Sequence, residues 1–254
     1  MKKSGLSRVL ELLEAFADGD TVLSAEQMGA RKGLAMATCY RYIRDLCDAG
    51  LLVKLPGGYA PGPRIIEWDR MIRIHDPLLR NCHELVGRLV QDTGLEFLLS
   101  QLYGDRIVNV YYEHNTSNET LLFGRGSVMP LFKGSTSRVI LAGMAVRQLR
   151  RLYEAHRADP EVLAMGADWK TFNASLAEVR ERGYAISSGE VHKDKVGIAA
   201  PLFGTQRHIL GSLTLIGSEK RFAALREDQV SARLKAVAEE ISSRLNPMTP
   251  QEKS

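Results

Sequence analysis

"MATCYRYIRDL", residues 36–46, decides how the first quarter of the chain reads. Cys39, Tyr42, Ile43 and Leu46 fall at i, i+3, i+4 and i+7, which lays one apolar stripe along a helix. The opposite face then shows Ala37, Thr38, Tyr40, Arg41 and Arg44. From Arg31 to Arg44 there are four bases (Arg31, Lys32, Arg41 and Arg44) and no acid. Such a face suits a long, negatively charged partner; an arginine pair kept only for solubility is the plain alternative.

The neighbouring segments favour the first reading. Leu6, Val9, Leu10, Leu13 and Phe16 predict a helix over 4–17, ended by "DGD". Ser24 with Gln27 three residues later is a capping-box pattern that starts a short helix near Ala25, and Gly33 breaks it. The base-rich helix runs from about Ala35 to Asp48 and stops at Ala49-Gly50. "LLVKLPGGYAPG" follows as two extended runs around a turn at Gly57-Gly58. Short helix, glycine turn, base-rich helix and hairpin within residues 1–62 is the winged helix-turn-helix order. A recognition helix lies in the major groove with its amino-terminal half near the base edges. There Arg forks onto guanine, while Thr and Tyr reach phosphates or thymine methyls. The candidate contacts to double-stranded DNA are Lys32, Ala37, Thr38, Tyr40, Arg41 and Arg44, with Lys54 and Tyr59 on the wing.

Residues 63–76 read as a helical linker with Ile65, Trp68 and Ile72 on one face. Asp76-Pro77 opens the next helix, whose buried side carries Leu78, Cys82, Leu85 and Leu89, and Gly94 ends it. "LEFLLSQLYGDRIVNVYYEH" predicts two strands turned at Gly104-Asp105, and "ETLLF" a third before the loop "GRGSVMPLFKG". Helices are expected over 135–145, 145–156 and 168–182, strands over 184–187, 197–203 and 209–216, and a last helix over 228–245. Hairpin-connected strands with helices segregated around them make 77–246 an α+β domain. The tail 247–254, "PMTPQEKS", reads as disordered.

With 254 residues, 44% hydrophobic and 25% charged, the composition is that of a globular protein of one or two domains. No run approaches the roughly 18 apolar residues of a membrane span, and no signal peptide is visible. Three cysteines without C-x-x-C spacing fit a reducing compartment, which points to the cytoplasm. The net charge of +4 is only a mild indication of an anionic partner.

The chain resembles the IclR-type transcriptional regulators of bacteria from about Leu6 to Arg244. The resemblance is carried by "GLAMATCYRYIRDLCDAGLL", "YAPGPRIIEW", "GSVMPLFKGSTSRVILA" and "RGYAISSGEVHKDKVGIAAPLF", in that order. It implies a second domain of GAF-like fold, an antiparallel sheet flanked by helices with a small-molecule pocket on one face. It also implies a homodimer or dimer of dimers that binds operator DNA and responds to a metabolite, often a carboxylate or aromatic acid. Regulation would be as a repressor or dual regulator of a catabolic operon. By resemblance the effector residues are Met129, Ser135, Thr136, Ser187, Glu190, Gly197 and Thr214. Departures fall at Met36-Ala37, Phe132-Lys133, Ser137-Arg138 and Asp194, where the family usually differs.

The residues themselves add chemistry to that picture. The start of the helix near Ser135 offers free amides and partial positive charge, and Ser135 and Thr136 add hydroxyls as caps or as ligand donors. Lys133 and Arg125 are loop bases that could help an acidic ligand or simply stay solvated. Glu190, His192 and Asp194 alternate as metal ligands on a strand would, but the polar segment reads as a loop, so no metal and no cofactor is expected. The alternative function is an enzyme on a GAF-like scaffold, with the first domain only for dimerisation. Residues 95–254 contain no cysteine, no G-x-S-x-G elbow and no phosphate-binding glycine motif, and His114, His156, His192 and His208 are scattered.

Overall fold

The structure, a computed structural model, describes residues 4–17, 19–114 and 123–245. It divides into two compact units at Asp76/Pro77.

The first unit begins with α1 (Gly5–Glu11), which tightens into a 3-10 turn over Leu12–Phe16 rather than running as one α-helix over 4–17. α2 (Ala25–Lys32) starts with the expected capping box: Gln27 N–H donates to Ser24 Oγ at 3.3 Å, and Ser24 N–H to Gln27 Oε1 at 2.8 Å. Gly33, at φ +61°, turns the chain into α3 (Met36–Asp48). Cys39, Tyr42, Ile43 and Leu46 of α3 are buried, so the stripe predicted from spacing is the one that packs. They meet Leu12, Leu23, Met28 and Leu52 in a small core of their own.

The wing is β1 (Leu52–Leu55) paired with β2 (Gly58–Pro61). Because Leu55 pairs with Gly58, the turn is Pro56-Gly57, not Gly57-Gly58. Gly57 has φ +91°, so Pro then left-handed Gly follows the type II pattern. Gly58 belongs to the strand for a different reason: a Cβ there would lie 2.4 Å from Leu23 O. Leu23 exchanges backbone hydrogen bonds with Tyr59 at 2.9 and 2.8 Å, which fastens the hairpin to the unit. α4 (Pro63–His75) closes the unit, entered through Pro63 in its first turn.

The second unit opens with α5 (Pro77–Thr93) and continues into β3 (Glu96–Tyr103) and β4 (Arg106–Glu113), with the expected turn between them. The expected "ETLLF" strand lies almost wholly outside the described residues, and its last residue, Phe123, is in a turn. The loop expected after it contains a short strand, β5 (Val128–Met129). α6 (Ser135–Gly143), α7 (Val146–His156) and α8 (Pro160–Met165) follow, the last not anticipated. The helix expected over 168–182 is two, α9 (Trp169–Ser175) and α10 (Ala177–Arg182). Arg180 Nη1 donates to Asn173 O at 3.1 Å, taking the acceptor an unbroken helix would offer to residue 177. β6 (Ala185–Ser188), β7 (Lys195–Phe203), β8 (Ile209–Ser218), α11 (Glu219–Ala223) and α12 (Glu227–Leu245) complete the unit.

The sheet has the order β5-β4-β3-β8-β7-β6 and is antiparallel throughout. Its period-two alternation separates two layers. Phe97, Leu99, Ile198, Ala200, Leu213 and Leu215 face α5 and α12 and pack on Cys82, Leu89, Leu234 and Ile241. The intervening residues face α6, where Thr136 meets Thr214 and Val139 packs on Ala199. The architecture is α+β: a winged helix-turn-helix with a helix leading into a helix-flanked antiparallel sheet. No helix among the described residues is long and apolar enough to cross a membrane.

Candidate functional site

In the first unit the four bases of residues 31–44 part company. Arg31 donates to Ala15 O at 2.6 Å and to Asp20 at 2.5 Å, and Lys32 reaches Glu14 at 3.4 Å. Both tie α2 to the preceding turn, so Lys32, a candidate DNA contact, already has a partner inside the protein. Arg41 and Arg44 project from the exposed face of α3 with no ion pair among the described residues; Arg41 lies 5.4 Å from the centre of the Tyr42 ring. Tyr40 is exposed and donates to Glu26 at 3.1 Å. That hydrogen bond, followed by the charge of Glu26, holds the phenol above its ordinary pKa. Ala37 is exposed and Thr38 half-buried at the start of the same helix. Ala35 brings no capping side chain, which leaves the first amides of α3 for an outside acceptor such as phosphate. On the wing Lys54 and Tyr59 are paired across the strands and share a face; Lys54 is exposed, while Tyr59 also packs on the core.

In the second unit the structure brings Met129, Ser135, Thr136, Ser187, Gly197 and Thr214 around one cavity of about 30 Å³. Its roof is the amino end of α6 and its floor is β6, β7 and β8. Ser187, Gly197 and Ile216 form one row across the sheet, and Ala199 and Thr214 the next. Ser135 N–H donates to Ser187 Oγ at 3.0 Å, and the hydroxyls of Thr136 and Thr214 are 2.9 Å apart. Gly197 is where it is because a Cβ would sit 2.9 Å from Ser135 Oγ. Ser135 and Thr136 are therefore not caps: the N-cap is Gly134, at φ +88°, which has no side chain to offer. Glu190 does not line the cavity; it stands at the rim, where its carboxylate accepts from Gly134 N–H at 3.1 Å.

Sequence reasoning missed Phe123, Val191, His192, Lys195 and Ile216 in the lining. Lys195 is neutralised by Glu96 at 2.6 Å, a largely buried pair. In the sequence His192 stands out as a metal candidate in the alternation of "GEVHKD" and as one of four scattered histidines. Among the described residues no group of three could hold a metal. The His192 ring instead stands edge-on to Phe123, and its Nδ1 is buried without a hydrogen-bond partner among the described residues. Ser212 Oγ, one sheet row beyond Thr214, is likewise unpartnered. Lys133 is exposed and Arg125 donates to Val110 O; neither lines the cavity. A wider cleft of about 360 Å³ opens on the α12 side between Phe203, Arg207, Lys235 and Ser242. It is the larger space, but the small cavity is the better candidate, because buried polar groups converge there and one lacks a partner.

Comparison with known proteins places this geometry. The model of the IclR helix-turn-helix domain matches residues 5–56, and that of the bacterial transcriptional regulator IclR C-terminal domain matches residues 74–243. The HTH-type transcriptional regulator KipR of Bacillus subtilis is 21% identical over 88% of this chain and 90% of its own length. The p-hydroxybenzoate hydroxylase transcriptional activator of Acinetobacter baylyi is 24% identical over 86% and 82%. Among solved structures, an IclR homologue from Microbacterium hydrocarbonoxydans complexed with 4-hydroxybenzoate superposes with a TM-score of 0.78, at 19% identity over 96% of this chain and 100% of that one. The helix-turn-helix, the helical lead and the sheet with its pocket thus have one explanation: the chain belongs to the IclR family of bacterial transcriptional regulators, which act through DNA and are not enzymes.

Proposed function

We propose that the protein is a ligand-responsive regulator that binds operator DNA through α3 and the wing, and that a small carboxylate or aromatic acid in the α6 pocket sets its DNA affinity. The observation that carries this reading is the division of labour: arginines with no ion pair among the described residues on a helix of one unit, and a polar cavity at a helix amino terminus in the other. The 4-hydroxybenzoate held by the Microbacterium homologue and the p-hydroxybenzoate hydroxylase activator among the relatives support an aromatic acid as the class to try first. Repression or dual regulation of a catabolic operon is the mode proposed. The test begins with duplex DNA selected by the full-length protein from a random pool. Small carboxylates and aromatic acids are then screened by thermal shift, since a ligand of the native state raises Tm by mass action. Compounds that raise Tm should change affinity for the selected DNA. A protein that selects no sequence, or whose DNA affinity ignores every stabilising compound, is not this kind of regulator.

A homodimer or dimer of dimers is the proposed assembly. α4 buries none of its residues, and Ile65, Ile66, Trp68, Met71, Ile72 and Ile74 are all exposed. A second copy would cover them, as a dimer reading two half-sites requires. Trp68 alone is 49% exposed and offers a large apolar surface. Trp68→Ala should weaken self-association about tenfold or more, since burying such a side chain contributes roughly 1.5–3 kcal/mol. It should also change the ratio of operator affinities measured with and without effector, because α4 is the last helix of the first unit before the chain enters the second. Sedimentation equilibrium reads the first effect and a linkage cycle the second. Unchanged values in both would move the assembly and the signal away from α4.

A further inference from the structure

The amino end of α6 already holds an anion. Glu190 Oε2 accepts from Gly134 N–H at 3.1 Å and from Arg138 Nη2 at 3.0 Å, and its Oε1 lies 2.9 Å from the same guanidinium. Arg138 is oriented for this by a second bond, Nη1 to Ile186 O at 3.3 Å. The carboxylate arrives from far along the chain, on the loop that joins β6 to β7. That loop is folded on itself: Gly189 N–H donates to Lys195 O at 3.0 Å, and Lys195 N–H to His192 O at 3.1 Å. Besides Glu190, it touches α6 through Val191, whose Cγ2 would lie 2.6 Å from any Cβ on Gly134.

The space beneath the loop is small. The cavity under the loop holds about 30 Å³, roughly the share of liquid volume of one water, whereas small-molecule sites ordinarily measure about 300–1,000 Å³. A carboxylic acid that is to fill this cavity needs the loop to move. A second feature lies on the same loop: His192 lines the cavity, and its Nδ1 is buried without a partner among the described residues. Leaving a buried polar group unsatisfied is costly, and a ligand group would remove that cost.

We propose that Glu190 is a built-in occupant of the anion subsite formed by Gly134 N–H and Arg138, and that a small monocarboxylic acid enters by displacing it, releasing the Gly189–Asp194 loop. Exchanging one carboxylate for another keeps Arg138 paired, so the exchange strands no charge. A neutral ligand has no such exchange to offer and leaves the loop latched. The tethered carboxylate competes with the ligand at an effective concentration in the millimolar range or above, so Glu190 sets the ligand level at which the switch responds. This inference rests on reading the cavity as the effector pocket.

The experiment is chemical rescue in the full-length chain, with acetate as the probe and sodium chloride holding ionic strength constant. Glu190→Ala vacates the subsite, so acetate at tenfold its dissociation constant should raise Tm by about 3–5 °C. Wild type, with the subsite filled from within, should show no acetate-specific shift at the same concentration. Acetamide, the neutral isostere, should not rescue, and Arg138→Gln placed on top of Glu190→Ala should abolish the response to acetate. If Glu190→Ala shows no cooperative melting, the same titration on Glu190→Gln replaces it, with the same expected order. Equal acetate shifts in wild type and variant, or rescue by acetamide, overturn the proposal. No DNA enters this measurement, so its failure leaves the regulator reading standing; conversely, rescue by acetate in a protein that selects no operator counts against that reading alone.

Discussion

Arg41→Ala weakens binding to the selected operator by about 1–3 kcal/mol, five- to over a hundredfold, if its guanidinium forks onto a guanine. The structure supports so large an effect because the only contact described for the Arg41 side chain is the approach to the Tyr42 ring at 5.4 Å. Arg41 and Arg44 carry no ion pair among the described residues, whereas Arg31 and Lys32 are held by Asp20 and Glu14. Removal therefore leaves the first unit's fold intact, and the loss appears in DNA affinity alone. Arg44→Ala lies one turn further along the helix and is expected to act on phosphate, weakening all duplexes alike and reducing the salt slope by about one ion. Lys32→Ala is the internal comparison: it breaks the contact with Glu14 and should change stability more than affinity. Fluorescence anisotropy on the selected and a scrambled duplex, across a salt series, separates the cases. Unchanged affinity in both arginine variants, with an intact melting transition, removes α3 from the interface.

Leu46→Ala is expected to destabilise the first unit strongly. Leu46 is 1% exposed and lies in the small core with Leu12, Met28, Ile43 and Leu52. Leucine to alanine at a buried site costs about 2–5 kcal/mol, a large part of what a small domain has to spend. For a unit of this size each kcal/mol moves Tm by roughly 4–8 °C, so its transition falls by about 10 °C or more. The second unit has its own core around Phe97, Leu213 and Leu234, so its transition should stay in place. Calorimetry of the variant should resolve two transitions, with operator binding lost at the lower one. If both units shift together, they unfold as one body, and the division at Asp76/Pro77 has no thermodynamic meaning.

The amino-acid sequence by itself determined what is encoded over a few residues. The i, i+3, i+4 stripe named the buried face of α3 and, by subtraction, the face carrying Arg41 and Arg44. Ser24 and Gln27 placed the start of α2, and two extended runs over 197–203 and 209–216 placed β7 and β8. Spacing alone said nothing of which ligand-facing residues would meet; that came from resemblance to a family. Only the tertiary structure decided contacts made across long stretches of chain, because packing rather than local propensity selects them. The turn of the wing moved to Pro56-Gly57 because Gly58 must lie against Leu23, more than thirty residues earlier. One expected helix is two, and Arg180 of the second donates both to Asn173 O and, across 38 residues, to Ala142 O. The charge cluster at 31–44 was halved by acids on the preceding segment, whose position a base count cannot show. Glu190 finds Gly134 across 56 residues, and Thr214 finds Thr136 across 78. Both pairings exist because the sheet brings β6, β7 and β8 under the amino end of α6, the same closure that leaves His192 Nδ1 buried and waiting for a partner.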